Sequence, residues 1–323
     1  MVARSKPNEI RITREYDAPV AMVWDAWADP EQVAQWWGPR GFTITTHSKE
    51  LRVGGVWRYT MHGPDGTDWP NTTVYHEVVE HEKLVYDHGG SEDRPPLFRV
   101  TVLFVERDGK TLMDMTMALP TPEEAEATRV MIKEKGGNGT WDRLAEYLAD
   151  RKGVSSFVIN RSFDAPRDAV FAMWIDPEHF ANWLPPNGCE MEFLRSDVRE
   201  GGESFYRWIS VQQDFSIYVR LEYHTIDVPN RLVYVQRLCD ENGRPAKHPI
   251  LHDFPEAMLT TVDLKEEGPN ATRVTLTWAP QGEATAEEVQ AFLDTRSSMT
   301  QGWTGSFDKL EGVLLSTRSE TVG

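Results

Sequence analysis

Residues 17–31 read Asp-Ala-Pro-Val-Ala-Met-Val-Trp-Asp-Ala-Trp-Ala-Asp-Pro-Glu, and residues 164–178 read Asp-Ala-Pro-Arg-Asp-Ala-Val-Phe-Ala-Met-Trp-Ile-Asp-Pro-Glu. The offset of 147 residues persists outward, carrying Tyr16 onto Phe163, Trp27 and Trp36 onto Trp174 and Trp183, and Gly54-Gly55 onto Gly201-Gly202. After one inserted residue, Tyr75-His76 falls on Tyr223-His224 and Leu84-Val85-Tyr86 on Leu232-Val233-Tyr234. A period this long is a domain duplication and not a solenoid, because each unit can bury its own core. The polar run Asp150-Arg151-Lys152-Gly153 marks the joint, giving domains at 1–151 and 152–323.

Within the first copy, Glu9 to Tyr16 has strand character and Pro19 opens a helix, where its missing N–H costs nothing. Val20, Val23, Trp24 and Trp27 then recur at helical spacing, so one face is buried. A second Pro-initiated segment ends at Trp36-Trp37, and its counterpart ends at Trp183. From there the period shortens to two. Val56 to Met61, Thr72 to Val79, Lys83 to Asp87, Leu97 to Glu106 and Thr111 to Ala118 are separated by Gly-, Pro- and Asp-containing turns, the pattern of an antiparallel meander. The second copy repeats it from Glu190 to Ala279. Each copy closes with one long helix, started by Thr121-Pro122-Glu123-Glu124 and by Thr285-Ala286-Glu287-Glu288. Trp141, Leu144, Ala145 and Leu148 make the buried stripe of the first; Phe292, Met299, Trp303, Leu310 and Leu314 make that of the second. Gly136-Gly137-Asn138-Gly139 interrupts or kinks the first helix. The fold class is α+β: a curved sheet wrapped around a closing helix, a packing that often leaves a cavity.

With 40% hydrophobic and 26% charged residues the composition is globular, and the formal net charge of −17 opposes nucleic acid and anionic membrane surfaces as partners. No apolar run is long enough to span a bilayer, and the N-terminus lacks the apolar stretch of a secretory signal, so a cytoplasmic location is expected. Cys189 and Cys239 are the only cysteines, which excludes a disulfide framework.

The run Val23 to Pro39, the strand Gly54 to Met61 and the terminal Gly139 to Leu148 resemble the bacterial family named after the activator of heat-shock-90 ATPase. That family lies in the START-like (SRPBCC) superfamily, and the resemblance implies two tandem helix-grip domains, each with two short helices after its first strand. It also implies a cavity beneath the gripping helix, with Trp36, Trp141, Trp183 and Trp303 at its mouth or wall. It does not carry a chaperone function with it, since neither copy includes the separate chaperone-binding domain of the eukaryotic activator. The second copy departs from the pattern at Leu184 for Trp37, Pro185 for Gly38 and Trp208 for Met61, which implies a pocket of different shape or a filled one.

Strand alternation puts Trp57, Tyr59 and Met61 on one face, and Tyr206 and Trp208 on the matching face. Met113, Met115 and Met117 are answered by Val274, Leu276 and Trp278. With Trp27, Tyr75, Trp174 and Tyr223, these inward residues either wall an apolar pocket or simply fill a core. His76 and His224 each adjoin a Tyr and could serve proton transfer, but neighbours in a strand face opposite ways, so at most one of each pair sees the cavity. Arg58 and Arg207 fall out of register between the copies and read as solvated. His248 and His252 stand at i and i+4, yet Pro249 and Pro255 oppose a helix there; neither a metal nor another cofactor is expected. No nucleophile elbow, phosphate loop or dinucleotide fingerprint occurs. The leading reading is a protein that binds a small apolar or aromatic ligand. A cyclase, aromatase or hydrolase using the same cavity is the enzymatic alternative, and a protein partner, chaperone or homodimer the third.

Overall fold

The structure, a computed structural model, describes residues 6–90, 94–134, 139–210, 216–248 and 251–321. The chain divides into two compact units, Met1–Val154 and Ser155–Gly323. In unit 1, β1 (Glu9–Tyr16) leads to α1 (Val20–Ala28) and α2 (Pro30–Trp36). Six further strands follow: β2 (Thr43–Lys49), β3 (Val56–His62), β4 (Asp68–Val79), β5 (Lys83–Gly90), β6 (Phe98–Arg107) and β7 (Lys110–Ala118). Then come α3 (Pro122–Glu134) and α4 (Gly139–Arg151). The sheet runs β1-β7-β6-β5-β4-β3-β2, antiparallel throughout.

Unit 2 repeats this order with β8 (Phe157–Phe163), α5 (Arg167–Ile175) and α6 (Pro177–Trp183), then β9 (Cys189–Ser196), β10 (Glu203–Ser210) and β11 (Ser216–Asp227). The series closes with β12 (Arg231–Cys239), β13 (Ala257–Gly268), β14 (Ala271–Pro280), α7 (Ala286–Asp294) and α8 (Arg296–Thr321). Its sheet order is β8-β14-β13-β12-β11-β10-β9, the same as in unit 1.

The repeated motifs have local physical causes. Asp29 caps α2 by accepting from the amides of Glu31 and Gln32, and Asp176 caps α6 in the same way from Glu178 and His179. Gly54 and Gly201 have φ of +74° and +73°, where a side chain is strained, and a Cβ on Gly55 or Gly202 would lie 2.1 or 2.2 Å from a backbone oxygen. The double glycine is therefore what lets the chain turn into β3 and β10.

The sequence pattern overlooks β2. Its residues, Thr-Ile-Thr-Thr-His-Ser-Lys, form an edge strand with little burial, so no hydrophobic alternation advertises it. The closing element is also not one helix per copy. In unit 2, Thr295 separates α7 from α8, and its hydroxyl donates to the carbonyls of Ala291 and Phe292, side-chain bonding that competes with the helix ladder. In unit 1, α3 ends at Glu134 and α4 begins at Gly139; Gly136, Gly137 and Asn138 lie outside the described residues.

Candidate functional site: a cavity under each closing helix

Each unit carries its own core between sheet and helices. In unit 1 the indoles of Trp27 and Trp141 stack with centroids 5.8 Å apart, and in unit 2 Trp174 and Trp303 stack at 6.1 Å. Trp36 and Trp183 are fully buried, and their indole N–H groups donate to the carbonyls of Ala26 and Met173. These rings tie the short helices to the closing helix, which is the anchoring role that large aromatic side chains with a polar tip perform well.

Two cavities open beside this packing. The cavity in unit 1 is about 170 Å³ and in unit 2 about 330 Å³. Of the residues that alternation and resemblance single out in unit 1, Met61, Met115, Met117 and Trp141 line the cavity, while Trp27, Trp36, Trp57, Tyr59, Tyr75 and Met113 are buried in the surrounding core. In unit 2, Tyr206, Trp208, Trp278 and Trp303 line the cavity, and Trp174, Trp183 and Tyr223 belong to the core.

Sequence reasoning missed other wall residues. Tyr86 and Tyr234, on the strand after the Tyr-His pair, line the two cavities, and so do His88 and Gln236 two residues on. The repeat itself was the available signal, because Tyr86 returns as Tyr234 at the same offset as the Tyr-His pair. The loop after α2 supplies Trp37, Gly38 and Pro39, and the loop after α6 supplies Leu184 and Pro186. Loop residues carry no periodicity, so only the folded chain reveals them.

Three tyrosines cluster at each cavity at equivalent positions, Tyr59, Tyr75 and Tyr86 in unit 1 and Tyr206, Tyr223 and Tyr234 in unit 2, with Tyr86, Tyr206 and Tyr234 on the cavity surface. Burial pushes all six hydroxyls above the usual phenol range, and neighbouring tyrosines add to this for Tyr75, Tyr86, Tyr206 and Tyr234. They are neutral hydrogen-bonding groups in an apolar wall. His88 stacks on Phe98 at 5.0 Å, and burial pushes its imidazole down to about 4, so it too is neutral near pH 7.

The loop over unit 1's cavity is pinned from α4. Arg143 Nη1 donates to the carbonyls of Gly38, Pro39 and Phe42, each at 3.0 Å, and Nη2 to that of Gln35 at 3.0 Å. Burial lowers this guanidinium to about 10, helped by Arg40, which itself pairs with Glu146. In unit 2 the corresponding fastening is slighter: Ser306 Oγ donates to the Leu184 carbonyl and Lys309 Nζ to that of Pro185.

The histidines considered for proton transfer face away from the cavities. His76 Nε2 lies 2.7 Å from Asp87 on the outer face, where Arg99 also reaches that carboxylate, and His224 is exposed; the paired Tyr75 and Tyr223 point inward. Arg58 is exposed, and Arg207 pairs with Glu192. His248 accepts a hydrogen bond from the Leu251 amide and sits at the rim of unit 2's cavity. The intervening Pro249 lies outside the described residues. Among the described residues no group of three potential metal ligands converges, and no helix is long and apolar enough to cross a membrane.

The family model described as "Activator of Hsp90 ATPase homolog 1-like protein" matches residues 17–149 and again 164–314. No curated protein matches the chain. Among solved structures, a protein from Nitrosomonas europaea is 22% identical, with 46% of this chain and 99% of that one covered and a TM-score of 0.43. One from Arthrobacter aurescens is 27% identical over 46% of this chain and 92% of its own, with a TM-score of 0.42. DynU16, from the dynemicin biosynthetic locus, is 17% identical, with 95% of this chain and 99% of that one covered and a TM-score of 0.34.

Proposed function

Since the chain belongs to the family of Activator of Hsp90 ATPase homolog 1-like proteins, and contains that domain twice, we propose that its second unit binds a small apolar or aromatic molecule beneath α8. The observation that carries this reading is the cavity of about 330 Å³ walled by Leu184, Tyr206, Trp208, Met258, Trp278 and Trp303. Ligand pockets are mostly apolar clefts of roughly 300–1,000 Å³ with a few polar groups to orient the guest. Unit 2 reaches that range, whereas the 170 Å³ of unit 1 falls short of it.

The asymmetry follows from the wall chemistry. Trp37 closes over Tyr59 in unit 1, and Leu184 stands in its place in unit 2, leaving Tyr206 on the cavity surface. Unit 1 then keeps the smaller cavity, under a loop fastened by Arg143. His76 and His224, the histidines considered for proton transfer, face away from the cavities and would not act on a guest there.

Thermal stability titrated with apolar aromatic probes tests the proposal, because a ligand at 100 times its dissociation constant stabilises the folded state by about 2.7 kcal/mol. Amide exchange with the probe bound is expected to slow in α8, β10 and β12. Failure of every probe to raise stability, or protection confined to unit 1, would refute it.

A further inference from the structure

The duplication supplies an internal comparison in which one copy fills with its own side chain the space that the other leaves open. In unit 1 the Trp37 indole is 6% exposed and packs edge-on against Trp27 at 5.6 Å, Trp57 at 5.3 Å and Trp141 at 6.3 Å. Its N–H donates to the Tyr59 hydroxyl at 3.1 Å. This is a complete receptor for an indole, with aromatic walls and one oriented acceptor.

Unit 2 keeps part of that receptor on its cavity surface, Tyr206 and Trp303, and lacks the indole that occupies it in unit 1. Trp174 and Trp303 hold the stacked geometry of Trp27 and Trp141, and Tyr206 stands where Tyr59 does. Leu184 replaces Trp37, and Leu184, Tyr206 and Trp303 all line the larger cavity. The second exchange nearby, Ser204 for Trp57, does not open space in the same way: Phe193 packs against the Tyr206 ring at 5.5 Å, and Ser204 accepts a hydrogen bond from Tyr223. Larger rings enter beside Leu184 as well: Trp208, in the place of Met61, lies 6.1 Å from the Tyr206 ring, and Trp278 packs edge-on against Trp303 at 5.3 Å, and both line the remaining cavity. Tyr206 is 2% exposed and faces the cavity, and its hydroxyl makes no hydrogen bond among the described residues. The hydroxyl is therefore free to accept a hydrogen bond from a guest N–H that enters the cavity. Burial, with Tyr234 and Tyr223, raises the phenol above its usual range, so Tyr206 meets a guest as a neutral hydroxyl able to accept an N–H.

We infer that the Leu184–Tyr206–Trp303 part of unit 2's cavity is a subsite for a neutral, planar, bicyclic aromatic molecule bearing an N–H, of the indole class, whose N–H donates to Tyr206 Oη. Gln236, which stands where His88 borders the Trp37 ring, gives the guest a second polar neighbour. This inference rests on the cavity reading above and narrows it to one chemistry.

Isothermal titration calorimetry on the full chain with indole, 1-methylindole and naphthalene tests it. Indole is expected to bind about tenfold more tightly than 1-methylindole, the ratio that one buried hydrogen bond supplies. Tyr206→Phe is expected to bring indole to the level of 1-methylindole and to leave naphthalene unchanged. Leu184→Trp, a residue that the same position accommodates in unit 1, is expected to lose all three. Naphthalene binding as well as indole, with Tyr206→Phe silent, overturns the N–H subsite and leaves the apolar cavity reading standing. Binding that survives Leu184→Trp puts the guest elsewhere and overturns the inference. Failure of all three probes with the unaltered chain overturns the inference and the cavity reading together.

Discussion

Replacing Trp37 by Leu gives unit 1 the residue that unit 2 uses at the same place. Trp37 is 6% exposed and has ring neighbours in Trp27, Trp36, Trp57, Tyr59, His88 and Trp141. Removing most of an indole from this cluster uncovers on the order of 70–80 Å² of apolar surface, about 2 kcal/mol at the usual transfer coefficient. The Tyr59 hydroxyl also loses its indole donor, which adds about 1 kcal/mol. The sum, about 3 kcal/mol, lies within the ordinary range for large-to-small core changes. Hydrogen exchange read by mass spectrometry on the full chain separates the units. The slowest amides of β3 and β5 should exchange about a hundredfold faster, and those of β10 and β12 should keep their rates. Trp37→Leu should also enlarge the cavity of about 170 Å³ and let naphthalene bind in unit 1. Unit 1 amides that stay within threefold of their original rates, with no gain of binding, would refute the reasoning that this indole narrows the first cavity.

Arg143→Met removes the donor to three backbone carbonyls in the loop over unit 1's cavity and to that of Gln35 in α2, and should destabilise unit 1 by about 2–4 kcal/mol; exchange at residues 37–42 should rise most, with partial recovery in Arg143→Lys. Gly202→Ala puts a Cβ 2.2 Å from the Asp197 carbonyl oxygen and should cost about 3 kcal/mol or more, seen as a lower urea midpoint for unit 2. His88 has a folded pKa of about 4 against an unfolded value of roughly 6.5, so its contribution to stability is full above pH 6.5 and is lost as pH falls towards 4. His88→Leu should flatten the pH dependence of unit 1's stability in that window, by on the order of 1–2 kcal/mol, as measured by exchange corrected for intrinsic rates.

The duplication was legible from the first repeated stretch, and with it the two short helices, since Pro19, Pro30 and the Trp27–Trp36 spacing are local signals that need no tertiary context. Strand alternation likewise found the inward faces, where Tyr59, Met113, Tyr206 and Leu276 are buried. It could not tell wall from filling. Trp57 and Tyr59 share a face with Met61, yet only Met61 reaches the cavity, because Trp37 folds across the Tyr59 hydroxyl from a loop. Edge strand β2 escaped for the opposite reason: with one side unpaired and little burial, it has no apolar period to read.

The sequence by itself determined that one domain occurs twice, which elements build it and which faces turn inward, because backbone propensity, helix starts and period-two or period-3.6 burial are written in neighbouring residues. Tertiary structure alone decided that one copy keeps a cavity of about 330 Å³ and the other one of about 170 Å³. The size of a cavity depends on how side chains distant in sequence share a volume, and there Leu184 for Trp37, Trp208 for Met61 and Ser204 for Trp57 change the walls of two otherwise repeated folds.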